Sequence, residues 1–387
     1  MTELNASGAT VSGTSPAKAN NAEAMVADSE FYTPPPLAKL HRPGDVLRMR
    51  PVTLNLPRAG AAWQILYVSR DVHGEPIPVS GTVITPKGRK RAGEEPVLVY
   101  QPSFHGLGGP CAPSQLLAAG TEPDSEQISA VLARGWTVAV VDGHGMGVLG
   151  LGPHTFLTGR TAGQVMLDLA RAATRIPALH AAEAPILLWG YADGGRAAVW
   201  AGGLQPGYAP DLDVRGIAAG AVVTDPGPIL RHLDRSPWPG LVLAGLVGLS
   251  HAHRHLPLRH VFTDAARVLL ADAESASRTQ LCERYRHPVV TWCERPDPWN
   301  DVMWRHVLNL EITGAAGVPR APVHLYHGAR DALVPVGFGR LLYTDLRAHG
   351  VRADWRAYDG AHFRTARTAT DDALAQLARD LTDSTHT

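Results

Sequence analysis

The residues best suited to chemistry lie where an apolar segment turns sharply into a helical pattern. Residues 185–191 (PILLWGY) are followed at once by Ala192, Asp193 and two glycines. Small residues at 190, 194 and 195 permit a nucleophile elbow, the tight strand-to-helix turn that lifts its central side chain above a sheet. That central residue is Ala192. It has neither hydroxyl nor thiol, so the sequence excludes a serine-based covalent intermediate at this position.

Two further residues follow in the order expected of an acid and a base. Asp331 closes the motif HGARD after a predicted strand, and His362 stands on the loop after the next strand. A carboxylate in that position holds an imidazole in one tautomer while the imidazole moves a proton. Taken singly, Asp331 is explained equally well as a helix cap, and His362 as a surface residue. Together, behind an elbow, they predict a catalytic pair.

Backbone N–H groups beside the elbow could stabilise a developing negative charge. Asp193 offers one donor, and the loop at residues 103–109 follows the strand where a second donor usually lies, with His105 and Gly106 as candidates. We therefore predict an oxyanion hole built from Asp193, His105 and Gly106. The alternative is that the loop glycines are ordinary turn residues.

Three more side chains are candidate substrate contacts: Ser103, Tyr191 and His144. Ser103 and Asp193 could also supply a nucleophile or a second acid, although a turn residue and a helix cap explain them more simply. The 18 histidines show no metal-ligand spacing such as HExxH. We therefore predict no metal site and no cofactor.

The elements that must position these residues alternate in type. Residues 47–54, 61–69 and 77–86 predict an antiparallel meander. The later predicted strands are residues 95–101, 136–143, 185–191, 214–223, 322–328 and 353–360. The predicted helices are residues 125–135, 161–176, 194–203, 337–350 and 370–381. This alternation predicts an α/β fold with a mostly parallel, doubly wound sheet.

One long interruption divides the chain into four predicted parts. Residues 1–34 are small and polar and predict a disordered tail. Residues 35–225 and 318–387 form one core, with residues 226–317 inserted between core strands as a lid. Some apolar residues of the insertion could contact an apolar substrate or simply pack against the core: Trp238, Leu241, Val242, Leu243 and Leu246.

The bulk properties narrow the possible partners. Lys+Arg and Asp+Glu each number 36 among 387 residues, and this balance argues against a nucleic-acid partner. The first 25 residues lack the pattern of a signal peptide, and no apolar run is long enough for a bilayer. We therefore expect a cytoplasmic protein without stable membrane association. Its three cysteines should stay reduced, unless the chain is exported and Cys111 pairs with Cys282 or Cys293.

From about Tyr67 to His362 the chain resembles the secretory lipases, the lipase A-like branch of the α/β-hydrolase superfamily. The resemblance rests on LYVSRD, VSGT, CAPS, the GYxxGG elbow, HGxxDxxVP and GxH. It implies a lidded α/β-hydrolase fold, whose active members form an acyl-enzyme on the elbow serine. The chain departs from the family at Ala192, at Gly143-His144-Gly145 in place of Tyr-Glu-Gly, and in the missing secretion pattern.

Ala192 leaves three interpretations open. The first is non-hydrolytic chemistry, an elimination, isomerisation or cyclisation, with His362 as base and an apolar carbonyl-bearing small molecule as substrate. The second is a binding protein without chemistry. The third is a lipase or esterase inactivated by a serine-to-alanine change. We favour the first because a binder needs no oriented base. The missing export pattern suggests an internal metabolite.

Overall fold

The computed structural model describes residues 29–38, 40–88 and 95–383. Its strands are β1 (Val46–Pro51), β2 (Ala59–Arg70), β3 (Pro76–Pro86), β4 (Val97–Gln101), β5 (Thr137–Val141), β6 (Ile186–Tyr191), β7 (Val214–Gly220), β8 (Val323–Gly328) and β9 (Ala353–Tyr358). They form one sheet in the order β1-β2-β3-β5-β4-β6-β7-β8-β9. The first three strands are antiparallel, as is the β3–β5 pair, and all later neighbours are parallel. The predicted α/β class and mostly parallel sheet are confirmed.

Helices cover both faces of this sheet because each parallel crossover must return over it. The α-helices are α1 (Pro113–Ala119), α2 (Ser125–Ala133), α3 (Gly159–Thr174), α4 (Asp193–Tyr208), α5 (Pro226–Asp234), α6 (Pro239–Ala252), α7 (Asp264–Ala273), α8 (Arg278–Arg284), α9 (Val302–Leu310), α10 (Val336–Ala348), α11 (His362–Thr368) and α12 (Thr370–Thr382). Short 3-10 helices lie at Gly109–Cys111, Pro177–Leu179, Leu258–Val261, Val289–Trp292, Pro298–Asn300 and Thr313–Ala316.

The central strands are apolar along their whole length because both of their faces are buried. In β4, Val97 and Val99 pack into the cluster on one face, while Leu98 and Tyr100 pack into the cluster on the other. The two clusters receive helix residues from α3 and α4 on the first face and from α2 and α12 on the second. The carboxyl ends of the strands are therefore rigid positions for functional side chains.

Residues 226–316 form an insertion between β7 and β8, where the sequence predicts a lid. Its helices share an apolar cluster that extends to Phe104, Leu107 and Val334 on the loops after β4 and β8. The insertion thus packs on the carboxyl edge of the sheet. Its movement as a lid stays a prediction. In the described part of the chain, no helix combines the length and hydropathy needed to cross a membrane.

The end of the predicted N-terminal tail is ordered. Residues 1–28 of that tail lie outside the described residues, but residues 29–32 form a helical turn with Phe31 and Tyr32 buried. The Tyr32 hydroxyl lies 2.7 Å from Ser114 Oγ, and the guanidinium of Arg50 stacks 4.3 Å from the Phe31 ring. The predicted boundary at residue 34 is therefore wrong, because two aromatic anchors outweigh the polar composition around them.

His324 ties the end of the sheet to the last helix. Its Nδ1 lies 2.6 Å from Asp354 Oδ2 on β9, and its Nε2 lies 2.6 Å from Asp380 Oδ2 on α12. Burial lowers the pKa of His324, but hydrogen bonds to Asp354 and Asp380 outweigh it and raise the pKa to about 9. Because the folded state binds this proton more tightly than the unfolded state, the stabilisation is complete below about pH 6.5 and is lost as pH rises through 9.

Replacing His324 with Gln should therefore destabilise the protein in a pH-dependent way. At pH 6.5 the free energy of unfolding should fall by up to about 3 kcal/mol, the equivalent of the raised pKa. At pH 10 the difference from the wild type should be much smaller. Urea unfolding at both pH values measures it, with His287→Gln, an exposed histidine, as the control. An equal loss of unfolding free energy at both pH values would show that the ion pairs of His324 do not contribute to stability.

Candidate active site

The elbow between β6 and α4 depends on backbone approaches that leave no room for side chains. A Cβ on Gly190 would lie 2.2 Å from the Gly194 backbone, and one on Gly194 would lie 2.1 Å from the Gln101 carbonyl oxygen. Ala192 has φ +55° and ψ −112°, a conformation that residues other than glycine rarely adopt. Its N–H donates to the Gly220 carbonyl at 2.8 Å. The chain thus keeps the strained elbow but places a methyl group at its centre.

Asp331 and His362 meet as the sequence predicts. Asp331 Oδ2 lies 2.7 Å from His362 Nδ1, and both side chains are buried. The other oxygen, Oδ1, accepts from the backbone N–H groups of Leu333 and Val334 at 3.0 and 2.8 Å. Asp331 therefore closes its own turn with one oxygen and orients the imidazole with the other, but it does not cap α10, whose N-cap is Pro335.

The electrostatics of the pair assign the position of its proton. Burial by itself raises the pKa of the Asp331 carboxyl. Hydrogen bonds from His327 and His362 have a larger effect in the opposite direction, so this pKa lies well below its usual range. An ionised carboxylate only accepts hydrogen bonds, so His362 Nδ1 carries the hydrogen and Nε2 is left as a proton acceptor. The backbone of His362 is also held, because the Tyr191 hydroxyl donates to the His362 carbonyl oxygen at 2.8 Å.

Ala192 and His362 line one cavity of about 370 Å³ beneath the insertion. Most of its other lining residues are apolar and come from the insertion and from the loops after β4, β5, β7 and β8: Phe104, Phe156, Leu157, Val223, Ile229, Leu230, Leu233, Trp238, Leu241, Leu333 and Val334. Trp238 and Leu241 thus reach the cavity as the sequence suggested. Val242, Leu243 and Leu246 are buried in the insertion's own cluster.

Asp193 lines the same cavity beside Ala192. As the first residue of α4, its N–H has no acceptor one turn earlier, so it is available to an anion at the positive end of the helix. Its carboxyl is not the helix cap that the sequence allowed, since α4 has no side-chain capping bond among the described residues. Burial raises the pKa of Asp193 to about 6, against the lowering effect of Arg196.

The structure does not bring His105 and Gly106 into this cavity. His105 Nε2 lies 2.8 Å from Glu122 Oε1, and this buried pair turns the ring away. The His105 carbonyl accepts from the Arg278 N–H at 2.8 Å, and Gly106 forms a β-bridge with Ser277. The predicted oxyanion loop is thus bonded to the insertion instead, and only its earlier residues reach Ala192.

The three candidate substrate contacts lie in different places. Ser103 lines the cavity with Ala192 and also a smaller cavity that His362 lines as well. Tyr191 lines only the smaller cavity and supports the His362 backbone. His144 lines neither cavity, although it borders a small void together with Asp193 and Leu157. It is buried beside His251 and His154, and burial, with their charges, lowers its pKa to about 3. Its ring centroid lies 6.4 Å from that of His251.

The sequence pattern did not identify the residues at the mouth of the cavity. Arg278 and Phe363 both line it, with the guanidinium 5.3 Å from the ring. Arg278 also donates to the Phe104 carbonyl at 3.3 Å. The available signal was the capping box of Ser277 and Gln280, which marks the start of α8. That motif locates a helix but does not say which cavity the helix faces.

Comparison with known proteins agrees with this geometry. A solved structure of Candida antarctica lipase A superposes with a TM-score of 0.83 over 93% of this chain and 87% of that chain, at 22% identity. The fold is thus that of the α/β-hydrolases. Residues 111–379 match the model of the "Secretory lipase" family. The chain belongs to the secretory lipase family.

Two curated relatives illustrate the range of that family. A "Probable inactive lipase" of Mycobacterium tuberculosis is 32% identical over 339 residues, which cover 81% of this chain and 72% of the relative. A "Secreted triacylglycerol lipase" of Malassezia furfur is 25% identical over 374 residues, which cover 91% and 75%. The relatives of this chain therefore include one named as a probable inactive lipase and another named as a secreted triacylglycerol lipase.

These comparisons overturn the expected compartment. The prediction of a cytoplasmic protein is wrong, because the matching family is secretory and the Malassezia relative is named as secreted, which points to an extracellular location. Balanced charge and an ordinary composition are compatible with a cytoplasmic or an extracellular protein. The expected compartment therefore rested on the pattern of the first 25 residues, which was too little evidence. The suggestion that the substrate is an internal metabolite depended on that compartment and is wrong for the same reason. Cys111, Cys282 and Cys293 are free thiols in the structure.

Restoring the hydroxyl at the elbow should restore a reactive nucleophile. The wild-type protein should not react with a fluorophosphonate probe, whereas Ala192→Ser should be labelled, because the elbow and the Asp331–His362 pair are already in place. Loss of such a serine typically lowers kcat about a million-fold, so the gain should be large. Gel fluorescence and p-nitrophenyl ester hydrolysis measure it.

Two controls sharpen this experiment. Adding His362→Ala to Ala192→Ser should remove the labelling, because the serine then lacks its base. Strong labelling of the wild type, removed by Ser103→Ala, would instead make Ser103 the nucleophile. A folded Ala192→Ser protein that stays unreactive would mean that the pair is not aligned with the elbow.

Proposed function

We propose that this chain uses His362, oriented by Asp331, as the general base of a non-hydrolytic reaction on an apolar small molecule that carries a carbonyl group. The observation behind the proposal is the retained pair: a buried 2.7 Å contact leaves Nε2 of the imidazole to the cavity that Ala192 lines. A protein that only binds needs no such orientation.

The chemistry requires no nucleophile. His362 Nε2 takes a proton from the carbon next to the carbonyl, the C–H electron pair forms a carbon–carbon double bond, and the carbonyl oxygen gains the negative charge. That oxygen is stabilised by the Asp193 N–H at the start of α4. Return of the proton to another atom of the same molecule gives an isomerisation. Expulsion of a leaving group, or attack of the new carbanion within the molecule, gives an elimination or a cyclisation.

Asp193 is suited to donate a proton to the product, after which His362 releases its proton to solvent and Asp193 takes one up. Asp193 lines the cavity, and its pKa of about 6 keeps part of the population protonated near neutral pH. Arg196 lowers that pKa and Glu311 raises it, and these two residues form a buried ion pair at 3.3 Å. Asp193 thus acts as the acid opposite the His362 base in this proposal.

A second candidate is a binding protein that carries an apolar ligand without changing it. Two observations favour it: Ala192 removes the acyl-enzyme route, and one relative is named a "Probable inactive lipase". The cavity would then serve as the ligand site, with the same apolar lining.

The base should be detectable before the natural substrate is known. In D2O, the wild type should exchange α-hydrogens of some medium-chain ketones, esters or lactones, and His362→Ala should exchange at least about 100-fold more slowly. Asp331→Asn should lower the rate more than the affinity, because it disturbs the tautomer and not the cavity. Mass spectrometry measures deuterium uptake.

His287→Ala is the matched control for that experiment, since His287 is exposed and lines neither cavity near Ala192. Full exchange or turnover by His362→Ala would show that the pair is not the base. Tight binding of the panel without exchange in any variant would favour the binding protein.

Both candidate functions require that an apolar ligand occupies the cavity. Ile229→Trp adds volume to a buried lining residue and should weaken binding of an apolar fluorescent acyl probe at least tenfold. Val268→Trp, at an exposed position of the insertion, should leave the affinity unchanged. The melting temperature of each variant separates a filled cavity from a destabilised fold. Unchanged affinity in Ile229→Trp would place the ligand elsewhere.

A further inference from the structure

Three histidines from distant parts of the chain meet away from the catalytic cavity. His73 lies in the turn between β2 and β3, whereas His253 and His255 follow the end of α6. The ring centroids of His73 and His255 are 4.6 Å apart, and both rings lie about 6 Å from His253, at 6.0 and 6.1 Å. One ring nitrogen of each residue lies within 4.8 Å of the other two.

Two residues of this histidine cluster, His73 and His255, line a separate cavity of about 420 Å³. None of its lining residues lines the cavity at Ala192. The charged and titratable residues around it are Asp71, His73, Glu75, His144, His251, Arg254 and His255. Two carboxylates against one guanidinium leave an excess of negative charge, which favours a cation over an anion.

His253 supplies a second, independent sign that a ligand is expected here. Its side chain is 5% exposed, yet Nε2 has no hydrogen-bond partner among the described residues. The nearest carboxylate oxygen, Glu311 Oε1, is 3.7 Å away, which is too far for a hydrogen bond. A buried, unsatisfied imidazole is uncommon because burial without a partner is costly. A bound ion would give this ring a bonding partner and would hold it in place.

The ligand atoms of the three rings lie close to the spacing that one metal ion requires. A tetrahedral zinc ion, at about 2.0–2.1 Å from each nitrogen, brings its ligands to about 3.4 Å from one another. The three rings therefore need to close by no more than about 1.4 Å. Two of them are exposed and free to rotate that far.

We propose that His73, His253 and His255 bind one zinc-like divalent ion, which links the β2–β3 turn of the core to the end of α6 in the insertion. Imidazole nitrogens select borderline metals such as zinc over calcium or magnesium. Three protein ligands leave a fourth position to water.

The separation of these histidines along the chain explains why the sequence pattern predicted no metal site. His253 and His255 belong to the segment HAHRH, but their third partner lies 180 positions earlier. No local spacing rule connects a turn of the antiparallel meander with the end of an insertion helix. Only the packing of α6 against the β2–β3 turn creates the cluster.

The test uses the full chain without a histidine tag. Isothermal titration with Zn²⁺ should give one ion per chain, and Co²⁺ should give the visible absorption bands of a tetrahedral site. His73→Ala and His255→Ala should each weaken binding at least tenfold, since even loss of an outer-shell partner costs that much. His287→Ala, elsewhere on the insertion, should bind as the wild type does.

A stability measurement completes the test. Saturating Zn²⁺ should raise the melting temperature of the wild type and His287→Ala by a few degrees, but not that of His73→Ala or His255→Ala. Both substituted side chains are exposed, so the variants should fold. No binding by the wild type, or equal binding by all four proteins, would overturn the proposal. In the second case, the cysteines or other histidines would hold the ion. Neither result depends on the proposed catalytic function.

Discussion

The close crossing of β6 and α4 is the constraint on which the site depends. At Gly190 and Gly194 the backbones approach so closely that a Cβ would lie 2.2 and 2.1 Å from other backbone atoms. This contact leaves Ala192 in a strained conformation at the carboxyl end of the sheet and directs the N-terminus of α4 into the cavity. The parallel neighbours β4, β7 and β8 then fix the loops that carry Ser103, Val223 and Asp331.

A buried ion pair connects this elbow to the insertion. Arg196, one turn into α4, lies 3.3 Å from Glu311 Oε2 and also donates to the carbonyls of Val223 and Leu157 at 3.0 and 3.1 Å. Glu311 in turn accepts from the Gly159 N–H at 2.6 Å. Removing either partner would leave an unpaired buried charge, which is strongly destabilising. Arg196 lowers the pKa of Asp193 and Glu311 raises it. Glu311 Oε1 also lies 3.7 Å from His253 Nε2, so this ion pair adjoins the elbow, the insertion and the histidine cluster.

Ala192 at the centre of the elbow excludes a serine nucleophile there, while the fold remains that of the lipases. The strain of the elbow is a property of its backbone, and the orientation of His362 depends on Asp331, so neither needs the missing hydroxyl. The chain can therefore superpose on lipase A at a TM-score of 0.83 although its route to an acyl-enzyme is gone. In the function we propose, the Asp331–His362 pair and the N-terminus of α4 carry out proton transfer at a carbonyl compound in this apolar cavity.

The sequence by itself determined the sheet, the elbow, the alanine at its centre and the Asp331–His362 pair. Each of these follows from local pattern and chain order, because strand ends in a parallel sheet meet at one edge. Tertiary structure alone decided which loop residues face the cavity. His105 and Gly106 are bonded to Glu122 and Ser277, contacts that no local pattern specifies. It also decided that His73 meets His253 and His255, because contacts between distant segments depend on how the insertion packs and not on spacing.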